Sequence, residues 1–315
     1  MKIALLGGGA FGITLALQLS KKHEVFVYEY VQARVETLKK GYCPLIDAQI
    51  PESILISNQM SDVLPLTECV VIAVASEYVR TTVLTAKQYI PPHAIVVLAS
   101  KGFDESGSLL SKIVFDTLQS ETAVLSGPTI AKELSHNVLT AAVIACDNPD
   151  IRSMLCQEFS TDIFHCYPSD DMVGVQIGGA LKNCIAIWGG IVDGLKLGKN
   201  TKSYIMTKGL DEIKLLGCAM GAKPITFYGL SGLGDLIVTC TSENSRNRQL
   251  GEKLVSGQKL SEALAEMTMV AEGVHTTKVG VELGRKFNVR MPLIEGLFQI
   301  LFEGKDIQDT VRELL

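Results

Sequence analysis

The sequence predicts an α/β fold: an N-terminal Rossmann domain, doubly wound around a mainly parallel sheet, followed by an all-α C-terminal domain. Three observations carry this. A glycine-rich turn, Gly7-Gly8-Gly9-Ala10-Phe11-Gly12, stands between an apolar run at 3–6 and a helix-patterned segment at 13–20. Short, apolar, β-branched runs at 3–6, 25–28, 54–57, 70–74, 95–98, 123–126, 141–145 and 163–167 alternate with helical segments, as strands of a parallel sheet do when helices cross over between them. Beyond about Pro168 these runs stop, and Leu, Met, Ala, Lys and Glu at helical spacing fill the rest. The expected domains are 1–168 and 169–315.

Size and composition agree with two domains. The chain has 315 residues, 47% of them hydrophobic, which is ample material for two cores. Its 34 acidic and 29 basic residues are spread without blocks, so no basic stripe invites nucleic acid or an anionic membrane. The eight cysteines lie far apart with no Cys-x-x-Cys pair. They read as buried, reduced thiols of a cytoplasmic protein, and no metal site is expected. Nor does the start read as a signal peptide, because Lys2 leads directly into a strand and then into glycines. Residues 172–192 form the most apolar stretch, and their one charge is Lys182. A charge at that depth in a bilayer costs about 3 kcal/mol, and Gln176, Asn183 and five glycines weaken the case further. A buried core helix is expected, not a membrane span.

The glycine turn carries the first functional reading. Gly7 permits the tight turn, Gly9 clears space for a pyrophosphate, and Gly12 lets the following helix pack on the strand. The helix then presents free N–H groups to the pyrophosphate. Glu29, at the end of the second strand, suits a ribose diol and therefore NAD. Arg34 is near enough in sequence to meet the 2′-phosphate of NADP. A solvated strand-end carboxylate and a solvated helix-face charge are equally open for these two. Use of both NAD and NADP is expected, with NADH somewhat favoured.

Ligands of open parallel sheets gather beyond the carboxyl ends of the strands. There the chain offers Ser100-Lys101-Gly102 and Ser126-Gly127-Pro128-Thr129. Gly127 and Thr129 expose donors suited to an anion or a hydroxylated substrate, or else simply cap a helix. Lys182 is a lone ammonium in the apolar helix, which is expensive without a partner, and Asp235 is a candidate to pair with it. Desolvation brings an ammonium toward the range useful for proton transfer; a structural ion pair is the plainer alternative. Gly178 and Gly179 would let another backbone or a ligand come close. Downstream, Thr239, Thr241, Ser242, Asn244, Ser245, Arg246, Asn247 and Arg248 make a dense run of donors. It reads as a phosphate cradle, or as a capped polar loop.

Together these segments, with Ala99-Ser100-Lys101-Gly102, Ser126 to Glu133, Gly174 to Asn183, Gly232-Leu233-Gly234-Asp235-Leu236, Ser245-Arg246-Asn247-Arg248 and Glu272-Gly273, resemble the bacterial NAD(P)-dependent glycerol-3-phosphate dehydrogenases over nearly the whole chain. That resemblance implies reversible NAD(P)H-dependent reduction of dihydroxyacetone phosphate to sn-glycerol 3-phosphate, for phospholipid synthesis, by a cytoplasmic homodimer. It implies Lys182 as proton donor, with Lys101 and Asp235 completing the catalytic set and Thr239 in the same network. Substrate contacts carry over to Lys101, Gly127, Thr129, Lys182, Asp235, Ser245, Arg246 and Asn247. Cofactor contacts carry over to Ala10, Phe11, Tyr30, Arg34, Lys101, Ala131, Arg246, Val270 and Glu272, beside the turn glycines Gly7, Gly9 and Gly12. A β-hydroxyacid or ketopantoate reductase, or a non-catalytic NAD(P) sensor, are the rival readings.

Overall fold

The structure, a computed structural model, describes residues 1–267 and 271–314. It divides into two compact units, one of residues 1–104 and 108–172, the other of 105–107 and 173–315. The division follows Met172, four residues past the expected one. Pro168 itself lies inside a strand, Phe164–Ser169, which forms the edge of its sheet, where a missing N–H is tolerated.

The first unit runs β1 (Lys2–Leu6), α1 (Ala10–Leu19), β2 (Glu24–Tyr28), α2 (Gln32–Leu38), β3 (Tyr42–Cys43), β4 (Ala48–Gln49), β5 (Leu55–Ser57), α3 (Met60–Val63), β6 (Cys69–Ile72), α4 (Val79–Ala86), β7 (Ile95–Leu98), α5 (Leu110–Leu118), β8 (Thr122–Ser126), α6 (Ala131–Ser135), β9 (Thr140–Ala145), α7 (Pro149–Phe159) and β10 (Phe164–Ser169). Eight strands form one sheet in the order β10-β9-β8-β7-β6-β1-β2-β5. All neighbours are parallel except β8 and β9, which pair antiparallel. The central strands are buried, β1 from Ile3 to Leu6 and β6 throughout, which explains why they read as continuous apolar runs rather than alternating ones. Strand order reverses between β1 and β6, and a ligand crevice belongs at such a switch point. β3 and β4 make a separate two-stranded hairpin that the sequence pattern does not predict.

The second unit is helical: α8 (Met172–Gly194), α9 (Gly198–Ala219), α10 (Asp235–Thr241), α11 (Arg246–Val255), α12 (Leu260–Ala265), α13 (Gly273–Phe287), α14 (Pro292–Phe298) and α15 (Ile307–Leu314). α8 is its axis, buried from Gly174 to Val192. It is long and apolar enough to cross a membrane, but its most apolar window is packed entirely inside the protein. The glycines of α8 mark where other segments touch it. A Cβ on Gly178 would stand 2.6 Å from the Ser231 carbonyl oxygen, so that glycine admits backbone. The indole N–H of Trp188 donates to the Leu293 carbonyl at 2.8 Å and ties α8 to α14.

Candidate active site

In the first unit the glycine turn sits at the switch point. Gly7 has φ +119°, and a Cβ there would lie 2.7 Å from the Ala73 carbonyl oxygen, so no other residue fits. Gly12 is as constrained, since its Cβ would meet the Gly7 carbonyl oxygen at 1.9 Å. Gly9 differs, because a Cβ there would meet nothing within 4 Å. It faces open space at the start of α1, whose first turn has no capping side chain and no acidic residue. A helix start with uncapped N–H groups beside a cleared approach fits a dinucleotide pyrophosphate. Ala10 and Phe11 open that helix, and α6, which begins at Ala131, is joined to it by the Thr14 hydroxyl donating to the Ala131 carbonyl at 3.1 Å.

Glu29, one residue beyond β2, is 4% exposed. Its carboxylate accepts from the Gly8 N–H at 3.0 Å, from the Val31 N–H at 2.9 Å and from Arg34 Nη1 at 3.3 Å. Tyr30 projects into solvent beside it. Three more expected residues meet at the ends of β7 and β8: Lys101 Nζ donates to the Gly127 carbonyl at 3.0 Å, and the Thr129 hydroxyl donates to the same oxygen at 3.2 Å. Gly127 has φ +150°, and a Cβ there would lie 2.9 Å from Ala142 Cα.

In the second unit two other expected residues, Asp235 and Thr239, meet Lys182. Lys182 is 6% exposed, and its ammonium is ion-paired to Asp235, itself 1% exposed. It also donates to the Thr239 hydroxyl at 2.8 Å, while that hydroxyl donates to the Asp235 carbonyl oxygen at 2.6 Å. With its one proton committed, Thr239 can only accept from Lys182. Asp235 and Thr239 stand one turn apart on α10, which follows a π turn at Leu230–Gly234. Burial pushes the neighbouring Cys240 thiol up to about 12, so it stays neutral beside the pair.

Ser245 caps α11 by accepting from the Arg248 N–H at 3.3 Å, and Arg246 and Asn247 form its first turn. Asn247 Oδ1 accepts from the Gly273 N–H at 2.9 Å, and Asn183 donates to Glu272 at 3.3 Å. Arg248, read with the donor run, is used elsewhere: it holds Asp193 at 2.6 Å and Glu252 at 2.8 Å. Lys202 meets the same Asp193 oxygen at 2.6 Å. Burial raises the Asp193 carboxyl, but the bonds from Lys202 and Arg248 outweigh it and hold the group below its usual range. Sequence reasoning missed this ionic knot, because its members are distant in the chain and ordinary in type. Val270, expected at the cofactor, lies outside the described residues.

Comparison with known proteins adds the decisive observation. Residues 2–152 match the family described as NAD-dependent glycerol-3-phosphate dehydrogenase N-terminus, and residues 171–312 match its C-terminus. The chain belongs to the NAD-dependent glycerol-3-phosphate dehydrogenase family. A glycerol-3-phosphate dehydrogenase (NAD(P)+) of Fusobacterium nucleatum is 38% identical over 323 residues, covering 100% of this chain and 96% of the relative. The crystal structure of a glycerol-3-phosphate dehydrogenase from Coxiella burnetii superposes with TM-score 0.95 at 34% identity, covering 99% and 98% of the two chains. A ketopantoate reductase from Ralstonia eutropha, at 17% identity and TM-score 0.66 over 99% of each chain, shares the fold. The chain is thus an NAD(P)-dependent oxidoreductase, and the Rossmann and helical readings of its two parts hold.

Proposed function

We propose that this member of the family reduces dihydroxyacetone phosphate to sn-glycerol 3-phosphate with NAD(P)H, reversibly, and that Lys182 is the group that moves the proton. The observation that carries this role is the buried ammonium of Lys182 held by Asp235 and Thr239. When bound, the reduced nicotinamide supplies a hydride for C2 of the substrate. The part left to the protein is the proton and the geometry. Lys182 as ammonium donates to the C2 oxygen as negative charge grows on it, and in the reverse direction neutral Lys182 accepts that proton. Asp235 and Thr239 fix where Nζ points.

Substrate orientation falls to the donors. Arg246 offers a planar fork to phosphate oxygens at the start of α11. Because Asn247 turns its oxygen to Gly273, its NH2 end is the one left to face a ligand. Lys101, Gly127 and Thr129 form a polar corner for the substrate at the ends of β7 and β8, and Lys101 also serves the cofactor. Remote phosphate binding of this kind orients the carbonyl for attack. The same reading supplies glycerol 3-phosphate for phospholipid synthesis in a cytoplasmic homodimer; sedimentation of the purified protein tests the dimer. Its eight unpaired cysteines suit a reducing compartment.

The test is spectrophotometric: oxidation of NADH and of NADPH with dihydroxyacetone phosphate, and with ketopantoate as control. Lys182→Ala is expected to lower kcat by about 10²–10⁴, while Lys182→Arg keeps the ion pair without restoring turnover. Near-normal turnover of Lys182→Ala with an unchanged pH profile sinks the assignment.

A further inference from the structure

We propose that Glu29 makes this enzyme prefer NADH over NADPH, and that Arg34 is held by that carboxylate instead of being offered to a 2′-phosphate. The inference rests on reading the Gly7–Gly12 turn as the dinucleotide site. Glu29 is the twentieth residue after Gly9, the spacing at which Rossmann domains place the group that meets the adenine ribose.

Its hydrogen bonds say which ribose it can meet. An ionised carboxylate offers about four lone-pair positions. On Oε2, one accepts the Gly8 N–H and another Arg34 Nη1; on Oε1, one accepts the Val31 N–H. The remaining position on Oε1 can accept a hydrogen bond from a hydroxyl. A 2′-phosphate has no such proton to give at neutral pH, and it brings negative charge toward a buried anion, a like-charge contact that costs several kcal/mol in general.

The carboxylate is also fixed in place. A Cβ on Gly8 would lie 2.9 Å from both Glu29 Cβ and Glu29 Oε2, so the side chain is packed directly under the glycine turn. Swinging it aside to admit a phosphate would strip the Gly8 N–H of its partner. Arg34, with 44% of its side chain exposed, makes an ion pair with Glu29 at 3.3 Å. Its charge is therefore partly cancelled where a phosphate would need it. The carboxylate and the guanidinium, which pull in opposite directions when read from the sequence, form one device in which the carboxylate dominates.

The test compares kcat/KM for NADH and NADPH at fixed dihydroxyacetone phosphate. The wild type is expected to favour NADH by roughly tenfold or more, and Glu29→Ser to shift the ratio toward NADPH by a similar factor, chiefly through the KM for NADPH. Adding Arg34→Ala to Glu29→Ser should remove that gain, since the freed guanidinium is then what binds the phosphate. Because Glu29 also braces Gly8, Glu29→Gln provides a gentler check: it keeps size and an acceptor, drops the charge, and must move the ratio in the same direction. A wild type that prefers NADPH, or a ratio unmoved by both Glu29 variants, overturns the proposal. Tight binding of both nucleotides without discrimination, measured by NAD(P)H fluorescence, sinks the preference alone. Binding of neither sinks the dinucleotide reading beneath it.

Discussion

Glu212 sets burial and hydrogen bonding against each other in one carboxyl group. It lies on α9, is 5% exposed, and accepts from the Leu293 N–H at 2.7 Å and the Ile294 N–H at 3.2 Å, at the start of α14. Burial favours the neutral acid, the two N–H donors favour the anion, and burial prevails, lifting the group to about 7 from an ordinary 4.5. A carboxyl raised on folding binds more protons in the native state between those values, so its contribution to stability falls as pH rises through that window. At about 1.4 kcal/mol per unit, the loss amounts to roughly 3 kcal/mol. Glu212→Gln is neutral but can accept only one of the two N–H bonds, so it should start below the wild type near pH 5 and close the gap toward pH 8. Urea unfolding at both pH values checks this, and a pH-independent offset refutes it. Nothing in the sequence singles out Glu212, which sits beside Asp211 in an ordinary polar stretch; its burial exists only once α14 is laid against α9. Lys182 is the opposite case. One charge in a long apolar run is conspicuous in the sequence, and its partner Asp235 could be suggested there because so costly a charge demands one.

Helix crossings follow the same division. α8 and α11 approach so closely that a Cβ on Gly190 would lie 1.8 Å from the Arg248 carbonyl oxygen, and one on Gly251 would lie 2.1 Å from the Ile187 carbonyl oxygen. These are backbone atoms, which cannot rotate away as a side-chain tip can. Gly190→Ala or Gly251→Ala should destabilise the protein by about 1–3 kcal/mol through overpacking, visible as a lower Tm. Since α11 carries Ser245, Arg246 and Asn247 at its start, the same variants should also raise the KM for dihydroxyacetone phosphate. A normal Tm with a normal KM would show that the crossing has slack. Glycines in a helical pattern announce close approach without saying to what. Strands were more legible, because β-branched runs bounded by turn residues leave little else to form. Strand direction leaves no trace in composition, so the antiparallel β9 was hidden, as was the hairpin of β3 and β4, each only two residues long.

At the scale of the whole molecule, the eight thiols are unpaired, and six of them are buried. Burial raises Cys69, Cys184 and Cys240 to about 12, far from the thiolate that reagents attack. Iodoacetamide at pH 8 should leave these three unmodified in the native protein and label them on unfolding, as read by mass spectrometry. Rapid native labelling of Cys240 would contradict the packing around Lys182. That packing has a consequence for how the chain is made. While α8 leaves the ribosome it has not yet found its core, and by length and apolarity it could pass for a segment to be inserted. Lys182 breaks that run near its middle, at a penalty of about 3 kcal/mol for insertion. Lys182→Leu, which removes that penalty, should raise insertion of the isolated helix in a microsomal assay. The charge that α8 must pair with Asp235 in its core is thus also the charge that disfavours its insertion into a bilayer.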